Sequence, residues 1–315
     1  MKRIVLALVA VVIVLYMRPF FTYKSIDYKN KKEIKHHMDK KLLTYNSSIS
    51  KENDDYVIYS RVDNMISEFH SKRRVYLGVT VLDKDFNVKN QYAINTGKDQ
   101  NKVIEDLRVF FVHDKKYFIG TIYELVLNNI FGNSMFYPIM LDEMYNTIDV
   151  VDEKGIMYNN KNLVPYMIHN NLYFIKNHNP LEILKVVTLS DKCYTKSHYK
   201  APVDPNFPKL RGNTLYIPYM DNKLLGITHI FTNSLFILRN YTHYLTILDV
   251  TDINKPFIER ISDPLCLTGF CGVEFVMGLT ESFDKNSYLL TLGKEDKSSF
   301  IIEITKDYVY QQLYK

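Results

Sequence analysis

From Tyr56 to the C-terminus the chain is a succession of short apolar or alternating runs, each closed by Asn, Asp, Gly or Lys. Examples are 56–62, 75–82, 107–112, 117–121, 171–175, 183–187, 214–219, 224–230, 244–250, 287–292 and 300–304. Such alternation is strand periodicity, because successive side chains of a strand point to opposite faces. Several runs meet across tight turns such as His113-Asp114-Lys115, His169-Asn170 and Asp221-Asn222, and these read as hairpins. No helix of about twelve residues stands out, and 123–130 reads at most as one short helical turn. The expected body is all-β. Roughly 260 residues divide into five four-stranded blades of about 50 residues, the usual size in a β-propeller. Pattern alone also admits a sandwich or jelly roll, since no clean repeat is visible.

Composition agrees with a packed β domain. Hydrophobic residues make up 46% and charged residues 24%, enough for a sizeable core. The 25 Tyr and 18 Phe favour pleated, half-buried surfaces over helices. Net charge is +5 with both signs well mixed, and the basic residues form no stripe of the kind nucleic acid requires. No nucleic-acid partner is expected. Three cysteines, Cys193, Cys266 and Cys271, exclude a disulfide framework and a four-thiolate zinc site. Cys266 and Cys271 can close a small loop in an oxidising compartment, with free buried thiols as the other reading. No metal site and no cofactor are expected, because no phosphate-binding glycine loop, dinucleotide fingerprint or zinc-binding helix motif occurs.

The N-terminus reads differently. Met1-Lys2-Arg3 precedes a charge-free run over 4–17 and then Arg18-Pro19-Phe20-Phe21. A basic start before an apolar core fits a signal peptide, but small residues for cleavage are missing, so an uncleaved transmembrane signal-anchor helix over 1–21 is expected. As a helix the run spans about 21 Å, short for a hydrocarbon layer of about 30 Å, so flanking residues must help. Residues 22–55 are charged, carry no sustained periodicity and read as a stem, with a lumenal or extracellular propeller over 56–315. The basic cluster of Lys31, Lys32, Lys35, Lys40 and Lys41 reads as a solvated juxtamembrane segment, with anionic headgroups as a secondary partner. Asn46 and Asn240 begin Asn-x-Ser/Thr sequons, compatible with a glycoprotein.

The most informative stretch is Glu105-Asp106-Leu107-Arg108, followed by His113-Asp114-Lys115-Lys116-Tyr117-Phe118-Ile119-Gly120-Thr121. It resembles the E-D-P-R hairpin of five-bladed propellers that cleave or form glycosidic bonds. It looks most like the mannoside phosphorylases (glycoside hydrolase family 130) and related mannosyltransferase-like proteins. Four further stretches follow in the family's order. Lys161-Asn162-Leu163-Val164-Pro165-Tyr166 looks like K-N-W-x-P-F, and Leu210-Arg211-Gly212-Asn213-Thr214 with Gly226-Ile227-Thr228-His229 like R-G-G-T-P and G-x-x-H. Arg239-Asn240-Tyr241-Thr242-His243-Tyr244 resembles R-x-Y-x-H-Y. Glu274-Phe275-Val276-Met277-Gly278-Leu279, then Gly293-Lys294-Glu295-Asp296, resembles E-F-V-x-G-L and G-x-x-D. The likeness covers about 56–304. Leu107 stands for Pro, Leu163 for Trp, Asn213 for the second Gly and Leu215 for Pro, and Lys297-Ser298 replaces the usual Cys-Glu after Asp296. These departures put retained catalysis in doubt more than the fold.

Cleaving a glycosidic bond needs a carboxylic acid beside the leaving oxygen and a nucleophile on the other face of the sugar. The resemblance makes Asp106 the candidate proton donor, held by Arg108, with Glu105 and Asp296 as further catalytic candidates. Candidate substrate- or phosphate-binding residues are Arg61, Arg108, Lys161, Arg211, His229 and Tyr241. Each also has a structural reading: an Asp–Arg strand tie, a surface cation, a core histidine, a packed ring. Glu274, in an apolar strand, reads as an inter-blade anchor. Trp is absent, so any sugar stacking falls to Tyr or Phe such as Tyr166 and Tyr241. Two functions remain open: an enzyme acting on mannose-type glycosides, and a non-catalytic propeller that binds carbohydrate or protein at an envelope.

Overall fold

The computed structural model describes residues 24–25, 27–35, 42–63, 75–96, 102–125, 134–158, 160–234, 238–267 and 273–315. They form five antiparallel meanders around a ring. Two N-terminal strands come first, β1 (Lys24–Ser25) and β2 (Asn30–Ile34). Blade I is β3 (Leu43–Glu52), β4 (Asp55–Asp63), β5 (Val75–Leu82) and β6 (Val88–Asn95). Blade II is β7 (Lys102–Val112), β8 (Lys115–Leu125), β9 (Ser134–Leu141) and β10 (Thr147–Asp152), with the short β11 (Gly155–Ile156) on its edge. Blade III is β12 (Val164–Ile168), β13 (Asn171–His178), β14 (Leu181–Leu189) and β15 (Lys192–Lys200). The outer strands β10 and β15 pair in parallel and join blades II and III into one sheet.

In blade IV, β16 (Arg211–Gly212) and β17 (Ile217–Met220) both pair with β18 (Lys223–Ser234). Next come β19 (Leu238–Asp249), β20 (Phe257–Ile261) and β21 (Leu265–Cys266), and β1 runs parallel to β21. Blade V is β22 (Glu274–Glu281), β23 (Ser287–Lys294) and β24 (Ser298–Thr305). Its fourth strand is β2, from the other end of the chain, in register Asn30↔Glu303 to Ile34↔Ser299. Closing the last blade with an N-terminal strand locks the ring. Lys29 and Asn30 add side-chain bonds of 3.0 and 2.6 Å to Glu303.

The core shows why the strands read as apolar on both faces. It falls into five clusters, one in each seam between neighbouring blades. Val109 and Phe118 pack with Val57 and Tyr59 in the I/II seam, while Phe110 and Ile119 pack with Phe174 and Leu184 in the II/III seam. One-residue steps along β7 and β8 thus feed opposite seams, as strand alternation demands. The III/IV, IV/V and V/I seams are filled likewise, for example by Ile175 with Leu248, Ile247 with Leu290, and Ile58 with Leu289. Tight turns supply the connections. His113, Asp114, His169, Asn170 and Asn222 all take positive φ, the geometry of two-residue hairpin loops.

Three expectations are corrected. The fold class included a membrane-crossing helix, but among the described residues no helix is long and apolar enough to cross a membrane. The only described helix is α1 (Lys306–Tyr314), capped by Thr305 and packed on the IV/V seam through Val309 and Leu313. The anchor expected over 1–21 lies outside the described residues. The stem expected over 22–55 instead contains β2 and β3, an outer and an innermost strand of the propeller; β2 is exposed except at Ile34, and β3 buries a mostly polar run from Thr44 to Ser50, so neither shows an apolar period. The helical turn expected over 123–130 is strand as far as Leu125.

Candidate active site

One end of the ring gathers the starts of the innermost strands, and two bulges shape it. In β3 the register slips between Tyr45 and Ser48, with Asn46 at φ 49°. In β7 it slips between Glu105 and Arg108, with Asp106 at φ 57°. Asn and Asp tolerate this left-handed backbone better than other side chains with a Cβ, because they are short and bond locally. The bulges also need room. A Cβ on Gly120 would lie 2.7 Å from the Glu105 carbonyl oxygen, and one on Gly293 would lie 2.3 Å from Asn46 Oδ1. Both glycines belong to the signature stretches, and close approach of a bulge explains them.

The bulges bring the carboxylates to one cation. Arg61, on β4, ion-pairs Glu105 at 2.7 Å and Asp63 at 3.4 Å, and its Nη1 lies 3.9 Å from Asp106. Asn46 Nδ2 donates to Asp106 Oδ1 at 2.9 Å. Tyr45 donates to the fully buried Asp63 at 3.0 Å. Burial acts to lower the Arg61 pKa, but Glu105, Tyr45, Asp106 and Asp63 outweigh it and raise it. Arg61 stays charged.

Arg108 does something else. It is 1% exposed and reaches across the axis, donating Nε to the Asn213 carbonyl and Nη2 to Asn162 Oδ1 at 3.2 Å. The expectation that Arg108 holds Asp106 is corrected: the bulge breaks the alternation between 106 and 108, and Arg61 takes that place. Burial pushes the Arg108 pKa down to about 10, with Asp106 opposing.

The opposite side of the mouth is basic. Lys161 lies before β12, and its Nζ sits 3.5 Å from the Phe136 ring centroid. Burial lowers its pKa, partly offset by Glu105 and Asp106, and Arg61 and Arg211 repel it as well. That set of neighbours places Lys161 between the acidic cluster and Arg211. Arg211 is exposed, backbone-paired with His229, and lies over Phe231 at 5.6 Å. Lys161, Arg211, Lys176 and His178 share a cavity of about 460 Å³ with Phe136, Asn160, Asn162 and Asn177.

Three imidazoles of blades III and IV, His178, His229 and His243, are buried and neutral. Burial takes His178 down to about 4 and His243 to about 3, and it lowers His229 strongly with help from His243, Arg211 and Arg108. His229 Nδ1 and His243 Nδ1 are buried with no hydrogen-bond partner among the described residues. Tyr241 is half-buried and packs with His229, Phe231 and Phe275 at 5.3–5.5 Å between centroids. Tyr166 is 2% exposed and stacks on Tyr173, which makes it core. Glu274 is 1% exposed and accepts from the Leu267 amide at 3.0 Å, an anchor at the start of β22. Asp296 occupies the β23–β24 turn at the same end, at φ 51°. That turn follows Gly293, which packs on Asn46.

Three site residues were not legible as such. Asn46 reads as a sequon in a stem, yet it is 7% exposed with its amide committed to Asp106, so it offers no acceptor for a glycan. Lys176 and His178 sit at the end of β13, where the sequence gives only a polar Lys-Asn-His run before Asn179-Pro180. Cys193 is a free buried thiol and Cys266 is disulfide-bonded; Cys271 lies outside the described residues.

No family model and no curated protein sequence matches the chain. Solved structures do. A GDP-Man-dependent mannosyltransferase from Leishmania mexicana superposes with TM-score 0.56 at 14% identity, covering 91% of this chain and 92% of that one. A mannose phosphorylase from the same organism, in complex with phosphate ion, gives 0.52 at 13% identity over 94% and 93%. A third structure gives 0.54 at 10% identity over 84% and 85%; it was described with the finding that the GH130 family of mannoside phosphorylases contains glycoside hydrolases that target β-1,2 mannosidic linkages in Candida mannan. The GH130-type propeller resemblance read from the motifs therefore holds for the fold.

Proposed function

We propose that this chain makes or breaks mannose-type glycosidic bonds at the mouth of its propeller, with Asp106 as proton donor and an anion held by Lys161 and Arg211. One observation carries the reading. Glu105 and Asp106 are fixed by Arg61 and Asn46 on one side of an opening whose other side presents Lys161 and Arg211, neither in an ion pair with a described residue, while Lys176 beside them is paired with Glu182 at 3.0 Å. The structural neighbours, which include a phosphorylase and a mannosyltransferase, support the substrate class. In the phosphorolytic direction, Asp106 gives its proton to the glycosidic oxygen as the bond to the anomeric carbon breaks. A phosphate oxygen bonds that carbon from the other face, and the phosphate proton restores Asp106. With a nucleotide sugar as donor, the same cations neutralise the leaving phosphate.

Arg61 and Asn46 position the acid rather than react. The half-buried Tyr241 offers an apolar ring to a sugar. The disulfide at Cys266 supports a body in an oxidising, lumenal or extracellular compartment.

The test is Asp106→Asn, which keeps the acceptor for Asn46 and removes the proton. Mannobiose plus phosphate, mannobiose alone, and GDP-mannose plus mannose are supplied, and products are followed by NMR. The expected loss is about a thousandfold in turnover, within the range for general acids, with the melting temperature unchanged. Equal losses of turnover and stability would mark Asp106 as a structural tie. Wild-type protein that binds mannosides but turns over none of these substrates would leave a binding module instead.

A further inference from the structure

A cavity of about 780 Å³ lies at the opposite end of the ring from the mouth, in the V/I seam. A sister seam shows what the fold itself requires there. The turns Asp83–Asn87 of blade I and Asp142–Asn146 of blade II are built alike. In each the leading Asp accepts from the amides two and four residues on and from the Asn side chain, and an aromatic residue takes a left-handed backbone, Phe86 at 63° and Tyr145 at 62°. Each ring turns into the seam before its own blade, Tyr145 against Phe118 at 5.6 Å and Phe86 against Tyr56 at 5.5 Å.

The seams then diverge. Below Tyr145 the I/II seam is plugged by a closed network. Glu52 accepts from Ser50, Tyr59 and Lys116 at 2.6–2.8 Å, and Lys116 also donates to Tyr59 at 2.8 Å. Burial raises the Glu52 pKa, and these bonds outweigh it and lower it. The V/I seam has no such plug among the described residues. Phe283 from blade V meets Tyr56 at 4.6 Å, and the half-buried rings of Phe86 and Phe283 face the open cavity. Its wall is the N-terminal strand β2, tied down by a bond from Lys32 Nζ to the Phe86 carbonyl.

We propose that this cavity is a second, non-catalytic carbohydrate site that takes a short neutral oligosaccharide. Three features select that class. Phe86 and Phe283 supply an apolar floor for the CH face of a sugar. The rim offers donors and acceptors of both signs, Lys31, Lys84, Asp85 and Asp284, within reach of one ligand. Its charges nearly balance, four lysines against Asp85, Asp284 and Glu303, with Lys29 paired to Glu303 at 3.0 Å and Lys84 to the neighbouring Asp54 at 3.1 Å, which suits hydroxyl groups better than a polyanion. The volume falls in the roughly 300–1,000 Å³ range of small-ligand sites. The site stands opposite the mouth, so it can hold a glycan chain without blocking turnover.

Phe86→Gly tests it. Glycine is at ease at a φ of 63°, so the turn survives while the platform is lost. Mannotriose and mannotetraose are titrated calorimetrically, and lysine acetylation is mapped with and without saccharide. In wild-type protein the saccharide is expected to shield Lys31, Lys32 and Lys84. Phe86→Gly should weaken that shielding about tenfold, with mouth turnover of mannobiose unchanged. Phe283→Ala should act in the same direction as a second removal of the floor. Absence of shielding in the wild type overturns the site, as does wild-type shielding in both variants. Shielding by inorganic phosphate in place of saccharide would mark an anion site and overturn it equally. A failure here leaves the Asp106 test untouched.

Discussion

The two sides of the mouth balance their charges in opposite ways. On the side of blades I and II a single guanidinium, Arg61, serves Asp63, Glu105 and Asp106, and Tyr45 and Asn46 complete the bonding. On the side of blades III and IV, Lys161 and Arg211 make no ion pair with a described residue, and Arg108 is buried against carbonyl oxygens alone. The carboxylate side is a finished network around a positioned acid. The cation side is where the proposed anion would be held, by Lys161 and Arg211.

Removing the cation from the finished side should have the largest effect. Arg61→Met leaves Asp63 fully buried without its counter-ion, and destabilisation of about 3–5 kcal/mol is expected. Urea unfolding measures it. A change within error would mean that solvent already screens these carboxylates and that the two sides are alike.

Acid should act on the other side. His178 is held near 4 and His243 near 3, against about 6.5 in the unfolded chain, so the unfolded chain binds more protons between those values. Stability is therefore full above pH 6.5 and falls as the pH drops toward 4, by about 3 kcal/mol for His178 alone. Denaturant midpoints taken between pH 7 and 4 read this loss, and the His178→Gln protein should show a shallower slope. An unchanged slope would place the proton uptake elsewhere.

The smallest effect sharpens the contrast most. Arg211 is exposed and makes no ion pair with a described residue, so Arg211→Gln should leave the melting temperature unchanged while phosphate affinity falls about tenfold, roughly 1.4 kcal/mol. Added phosphate should stabilise the wild type in proportion to its occupancy. Loss of stability without loss of phosphate binding would show that the basic side is structural.

Much of this was legible in the residues and some could not be. The strands and their tight turns follow from local patterns, the five-bladed architecture needed the family resemblance as well, and the starts and ends of β5, β13 and β18 lie close to the expected runs. The stem was misread because β3 is a polar innermost strand, with Ser47, Ser48 and Ser50 buried against neighbours rather than facing water. Ser47 bonds both Ser60 and Ser299, so its burial is satisfied by residues far along the chain. Hydropathy carries no trace of such a partner. Glu105, Asp106 and Asp296 lie at one end of the ring, yet the cation beside Asp106 is Arg61 rather than the Arg108 that the resemblance implied.

What the sequence determined alone was periodic and local. It set alternation long enough for strands, Asn and Asp where hairpins need positive φ, and glycines at Gly120 and Gly293 where a bulge crowds its neighbour. Which side chains meet at the mouth was decided only by closure of the ring. Seams join strands from different blades, and one bulged residue shifts which face its successors occupy. Arg61 and Asn46 gained their roles at Asp106 through those two facts, since contact across a seam depends on the summed twist and register of whole blades.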